Sequence, residues 1–202
     1  MSFIKTIPVS QAENDVRELY QRQQGPYGYV PNYAKVFCYR PDVMKAWAKL
    51  QVSIRQNIDS KEYELTTLAA AQAMSSSYCS LAHGRVLNET FYGDEDIAAI
   101  AQGGGESVLS ERERAIMALA RKVVIDSSSV TQQDIDDLKQ CGLDDAEIFD
   151  VIASAAARCF FAKLADGLGA LPDSVFTEMD EVLREALLVG RPISTEQPET
   201  IT

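Results

Sequence analysis

A thiol and an imidazole one helical turn apart are the residues of this sequence best placed to do chemistry. Cys79 and His83, the only histidine of the 202-residue chain, stand in the run Ser76-Ser77-Tyr78-Cys79-Ser80-Leu81-Ala82-His83. On a helix, positions i and i+4 share a face. Thiol chemistry runs through the thiolate, and an imidazole commonly takes the thiol's proton or stabilises the anion. Ser76 or Ser77 would cap such a helix and place Cys79 in its first turn. Unpaired N–H groups and the positive end of the helix dipole favour an anion there. An inert buried cysteine beside a hydrogen-bonded core histidine is the competing reading of the same spacing.

Glu64 adds a third group. It heads a helical stripe that continues through Leu68 and Ala71, with Leu65 and Ala69 alongside. A carboxylate on that stripe would be partly buried and would need a partner. Burial would raise its pKa, whereas an imidazolium beside it would lower it. A glutamate that reaches solvent near a helix start is the alternative. Glu62, in the first turn, reads as a capping carboxylate.

The elements that would carry these groups read as helices almost throughout. Ser10-Gln11-Ala12-Glu13 is a capping box that would open a helix to about residue 24, where Gly25-Pro26-Tyr27-Gly28 would break it. A short helix near 32–38 and one from Pro41 to about 56 follow, proline suiting a first helical turn. Ser60 would cap a helix to about 74, and the serine cluster at 75–77 a further one to about 88. Gly103-Gly104-Gly105, which follows no strand, reads as a mobile linker and not as a phosphate loop. Ser110-Glu111-Arg112-Glu113 is a second capping box, and Thr131 would cap a helix that Gly142 ends. A long apolar helix is expected over about 144–166 and a last one over 173–189. The domain reading is an N-terminal helical extension over 1–56, a core over 57–190, and a disordered tail over 191–202, where prolines recur and apolar residues are few.

Composition bounds the partners. With 46% hydrophobic and 24% charged residues the chain is ordinary for a globular protein. Its net charge of -11 argues against nucleic acid and anionic membranes, both of which need a basic footprint. The most apolar stretch, 151–171, is interrupted by Arg158, Lys163 and Asp166, so no membrane span is expected. The N-terminus lacks a signal-peptide core, and a cytoplasmic location is expected. The cysteines, at 38, 79, 141 and 159, are then reduced thiols. One histidine and no close cysteine pair give no zinc set, and neither metal nor cofactor is expected.

The segments Glu62-Tyr63-Glu64-Leu65 and Ser76-Ser77-Tyr78-Cys79-Ser80-Leu81-Ala82-His83 resemble the core of the alkylhydroperoxidase AhpD-like family, in the carboxymuconolactone decarboxylase superfamily. That core has a glutamate, a Cys-x-x-Cys motif, and a histidine four residues after the second cysteine. Glu64, Cys79 and His83 match those positions by spacing, while Ser76 stands where the family has its first cysteine. Val30-Pro31-Asn32 and Arg40-Pro41-Asp42 resemble the N-terminal extension of the peroxidase-related branch; Phe161 to Asp166 resembles a later family segment only loosely. The resemblance implies an all-α AhpD-like fold, a homo-oligomer (trimer or hexamer), and a thiol peroxidase that reduces alkyl hydroperoxides. Cys79 would be its redox thiol, Glu64 and His83 its proton relay, and Ser76 and Tyr78 pocket or relay residues. A serine cannot form the family's disulfide, so an external thiol, or Cys38, Cys141 or Cys159, would have to resolve Cys79. Two alternatives stay open: a decarboxylase-like acid–base enzyme using Glu64 and His83, and a non-catalytic helical assembly protein with a degraded site.

Overall fold

The computed structural model describes residues 2–201. Its α-helices are α1 (Asn14–Tyr27), α2 (Asn32–Val36), α3 (Pro41–Arg55), α4 (Ser60–Ala73), α5 (Ser77–Thr90), α6 (Asp94–Ala101), α7 (Glu111–Asp126), α8 (Gln132–Gln140), α9 (Asp145–Gly167) and α10 (Glu181–Leu187). Among the described residues there is no strand, only an isolated antiparallel bridge between Val30 and Glu199. The expected all-α class is therefore the observed one.

Helix α4 is the centre of the molecule. It is buried continuously from Tyr63 to Ala71 and packs against α5, α7 and α9. A helix covered on every side needs no amphipathic stripe, and small residues such as Ala69, Ala70 and Ala71 let its neighbours approach. Helix α5 is held against α10 at Gly84, where an added Cβ would lie 2.5 Å from both Leu187 methyl groups. Helix α9 carries one apolar face, including Val151, Ala155, Phe161 and Ala162, onto the same core.

Several helix starts follow their sequence signals. Ser110, Thr131 and Asp144 each close a full capping box. Others differ. The box read at Ser10 does not form; residues 9–11 make a 3-10 turn, and α1 begins at Asn14 with no side-chain cap. That helix also continues through Gly25 and Pro26, because a proline in the last turn interrupts little, and it stops at Gly28 in the left-handed region. At α4 the cap is Asp59, whose carboxylate accepts from the backbone of Lys61 and Glu62. The helix expected over 173–189 is a 3-10 turn (Ser174–Glu178) followed by α10, since Met179 and Asp180 adopt extended backbone.

Two segments expected to be loose are ordered. In the glycine run, Gly104 N–H donates to the Ala99 carbonyl and Gly105 is buried against Ile100 and Leu109. The tail over 191–201 was expected to be disordered, but it packs on the body. Ser194 and Ile201 are buried, Ser194 N–H donates to the Pro172 carbonyl, and Gln24 hydrogen-bonds the backbone of Ile201 in both directions. Among the described residues, no helix is long and apolar enough to cross a membrane.

Candidate active site

The expected residues sit on α4 and α5, which pack side by side. Cys79 lies in the first turn of α5 and is 2% exposed; Glu64, on α4, is also 2% exposed. His83 is one turn further along α5, its Nδ1 2.5 Å from Glu64 Oε2. Arg55, at the end of α3, reaches the other carboxylate oxygen at 3.3 Å. The candidate glutamate thus has two partners. Glu62 is instead held in a two-point pair by Arg112, at 2.5 and 3.1 Å. Its role is to tie α4 to α7, not to cap α4.

Burial pushes the Glu64 carboxyl up, but His83, Arg55 and Arg158 together outweigh it and hold its pKa below the usual range. Burial also pulls the His83 imidazole down, and the nearby guanidinium of Arg158 adds to that; Glu64 offsets only part. A neutral imidazole beside an ionised carboxylate must donate from Nδ1, so Nε2 carries a free lone pair. That tautomer makes His83 a base.

Cys79 departs from the expectation. Burial dominates and pushes its thiol up, against the opposing pull of Arg158 and Ser76, while Asp166 pushes the same way as burial. The helix-start environment does not overcome desolvation, so the resting group is a thiol. The geometry does not pair the thiol with the imidazole either. The imidazole is engaged by Glu64, and the groups that pull the thiol pKa down are Arg158 and Ser76.

Arg158 is the residue the sequence reading missed. It lies in the middle of α9, 4% exposed. Its Nη2 donates to Tyr63 Oη at 3.1 Å, and its guanidinium stands 5.6 Å from the ring centres of both Trp47 and Phe161. Tyr63 Oη in turn donates to Gln51 Oε1 on α3. Burial works against the charge of Arg158, yet Cys79 and Tyr63 raise its pKa, so it stays protonated. A signal was present: an arginine interrupting an apolar helix face cannot be buried without a partner.

Ser76 occupies the N-cap position of α5 without making a capping bond. It is fully buried and its Oγ has no well-formed hydrogen bond, although Cys79 and Asp166 lie beside it. Ser77 Oγ accepts from Gly190 N–H at 2.7 Å. Tyr78 is turned elsewhere: its hydroxyl donates to Asp173 and accepts from Tyr33 N–H. It packs the first turn of α5 and takes no part in the thiol's surroundings. The other cysteines are free. Cys38 is in the main core, Cys141 packs beside the cluster of Leu138 and Leu143, and Cys159 lies half-buried on α9 near Lys163.

Residues 41–122 match the model of the carboxymuconolactone decarboxylase family. The match begins at Pro41, inside the stretch read as an extension. Among solved structures, an uncharacterized peroxidase-related protein from Ralstonia eutropha JMP134, described as an alkylhydroperoxidase AhpD core, is 24% identical with a TM-score of 0.78, over 88% of this chain and 95% of that one. A peroxidase-related protein from Silicibacter sp. TM1040 is 16% identical with a TM-score of 0.72, over 84% and 91%. The debrominase Bmp8, in complex with 2,3,4-tribromopyrrole, is 15% identical with a TM-score of 0.70, over 93% and 98%. No curated protein matches the sequence significantly.

Proposed function

We propose, from the premise that residues 41–122 are a carboxymuconolactone decarboxylase-family segment within an AhpD-like fold, that this chain is a one-thiol peroxidase acting through Cys79. One observation carries the reading: the buried guanidinium of Arg158 is near enough to Cys79 to pull its thiol pKa down against burial, and its hydrogen bond goes to a neutral phenol. A cation in that place stabilises the sulfur only once the thiol has lost its proton.

The reaction follows from the arrangement. His83, not hydrogen-bonded to the thiol in the resting site but about 5–6 Å along the same helix face measured between Cβ atoms, takes the thiol proton on Nε2 once bound peroxide bridges the two, and Glu64 holds the resulting imidazolium. The thiolate attacks the peroxide oxygen distal to the alkyl group, and the O–O bond breaks. The leaving alkoxide takes the proton from His83 and departs as an alcohol, while Cys79 becomes a sulfenic acid. With serine at position 76, an external thiol condenses with it, water leaves, and a mixed disulfide forms. A second external thiol releases the disulfide and restores Cys79. An organic hydroperoxide is favoured as substrate over hydrogen peroxide, in keeping with the aromatic ligand of the debrominase neighbour. We propose a cytoplasmic homo-oligomer, trimer or hexamer; the exposed Phe149, Phe160 and Val182 offer apolar contact surface.

Consumption of tert-butyl hydroperoxide with dithiothreitol tests this. Cys79→Ser abolishes it, and peroxide-treated wild type carries one dimedone adduct, on Cys79. Equal rates in wild type and Cys79→Ser would sink the proposal. The intact Glu64–His83 pair also suits the acid–base alternative, in which Cys79→Ser keeps turnover and His83→Gln loses it.

A further inference from the structure

The buried nitrogen atoms that lack a hydrogen-bond partner among the described side chains are Trp47 Nε1, Gln51 Nε2 and Arg158 Nε. They come from α3 and α9 but meet at one place. Trp47 and Gln51 are one turn apart on α3, Arg158 stands by the indole, and Tyr63 joins Arg158 to Gln51. Because Gln51 Oε1 accepts from Tyr63, its amide is fixed with Nε2 turned away. Gln51 and Arg158 are each more than nine-tenths buried. An unmet buried donor costs about 1–3 kcal/mol, and such groups are few in native structures. Three in one cluster, all donors, describe the complement of an acceptor.

We infer that this cluster, beside Cys79, is a carboxylate-binding subsite and that the substrate acted on by Cys79 carries a carboxylate. The three groups present four N–H bonds, which match the roughly four lone-pair directions of one carboxylate. Charge selects an anion over a neutral acceptor, because the buried guanidinium of Arg158 stays protonated and its hydrogen bond goes to the neutral Tyr63 phenol, not to a carboxylate. The indole and Phe161 rings, stacked with centres 4.4 Å apart beside the guanidinium, would flank an organic acid. The statement about substrate rests on the peroxidase reading of Cys79; carboxylate binding does not.

Trp47 is the sole tryptophan of the chain, so its fluorescence reports on this subsite alone. Titration of the full chain with benzoate gives a saturable change, and neutral benzamide binds at least tenfold more weakly. Gln51→Leu weakens benzoate at least tenfold with unchanged far-ultraviolet circular dichroism. No saturable change with benzoate, or benzamide binding equally well, overturns the subsite without recourse to any variant. In turnover, para-carboxycumene hydroperoxide shows at least tenfold higher kcat/KM than cumene hydroperoxide; equal values overturn the substrate assignment. If benzoate binds but neither peroxide is consumed, the subsite stands and the peroxidase reading falls. If cumene hydroperoxide is consumed and benzoate does not bind, the reverse holds.

Discussion

A buried thiol that has to ionise needs a cation beside it, and in the proposed reaction Arg158 is that cation. His83 is held by Glu64 at 2.5 Å; in the same proposal it acts on the proton, whereas Arg158 acts on the charge left behind. The two roles are separable by measurement. Removing the guanidinium takes away the interaction that opposes burial at Cys79, so the thiol pKa moves further up. Arg158→Leu is therefore expected to shift the inflection in the pH profile of Cys79 alkylation by iodoacetamide upward. Arg158→Lys would restore part of the shift; an unmoved inflection in Arg158→Leu would remove Arg158 from the site. The Cys79–His83 spacing was legible in the sequence because both lie on one helix, where i to i+4 geometry is local; Glu64 is on the neighbouring helix and was picked out by a buried stripe and a family resemblance. Arg158 was not, because its partners Tyr63 and Cys79 are 95 and 79 residues away.

Each helix start is a local contest, and its outcome decided which signals could be read. Ser110 and Thr131 cap as expected, and Asp144 does the same, because the acceptor and the acidic return residue are three apart. Ser76, at the N-cap of α5, makes no capping bond, and Ser77, the first residue of α5, is engaged from outside by Gly190 N–H. That contact brings the chain after α10 onto the turn preceding Cys79. A Cβ at position 190 would lie 2.0 Å from the Ser75 carbonyl oxygen, a backbone atom that cannot swing aside. Gly190→Ala should therefore push the segment off the start of α5, destabilise the protein by about 1–3 kcal/mol, and speed alkylation of Cys79 at fixed pH. Denaturant unfolding and alkylation kinetics check the two effects separately, and an unchanged alkylation rate would show that this contact does not guard the thiol. The ordered turn at Gly103–Gly105 carries the same lesson: glycine there serves a close approach to Ile100 rather than mobility.

Across the whole molecule, both termini fold back over the helical body and meet. Val30 bridges to Glu199, Phe3 N–H donates to the Leu168 carbonyl, and Arg191 lies over the Phe3 ring at 4.6 Å. Deleting the chain after Leu188 removes the tail's share of this closure. It is expected to lower Tm by several degrees, at about 2–4 °C per kcal/mol for a domain of this size; an unchanged Tm would mean that the tail rests on the body without holding it. The sequence by itself determined the all-α class and most helix positions, because helical periodicity and spacing are properties of neighbours along the chain; it offered Glu64, His83 and Cys79 as candidates through a family resemblance. Only the tertiary structure decided that the thiol is desolvated, that Arg158 pulls its pKa down against burial, and that the tail is packed. Burial and long-range charge arise only when distant segments meet, and no local pattern records where they do.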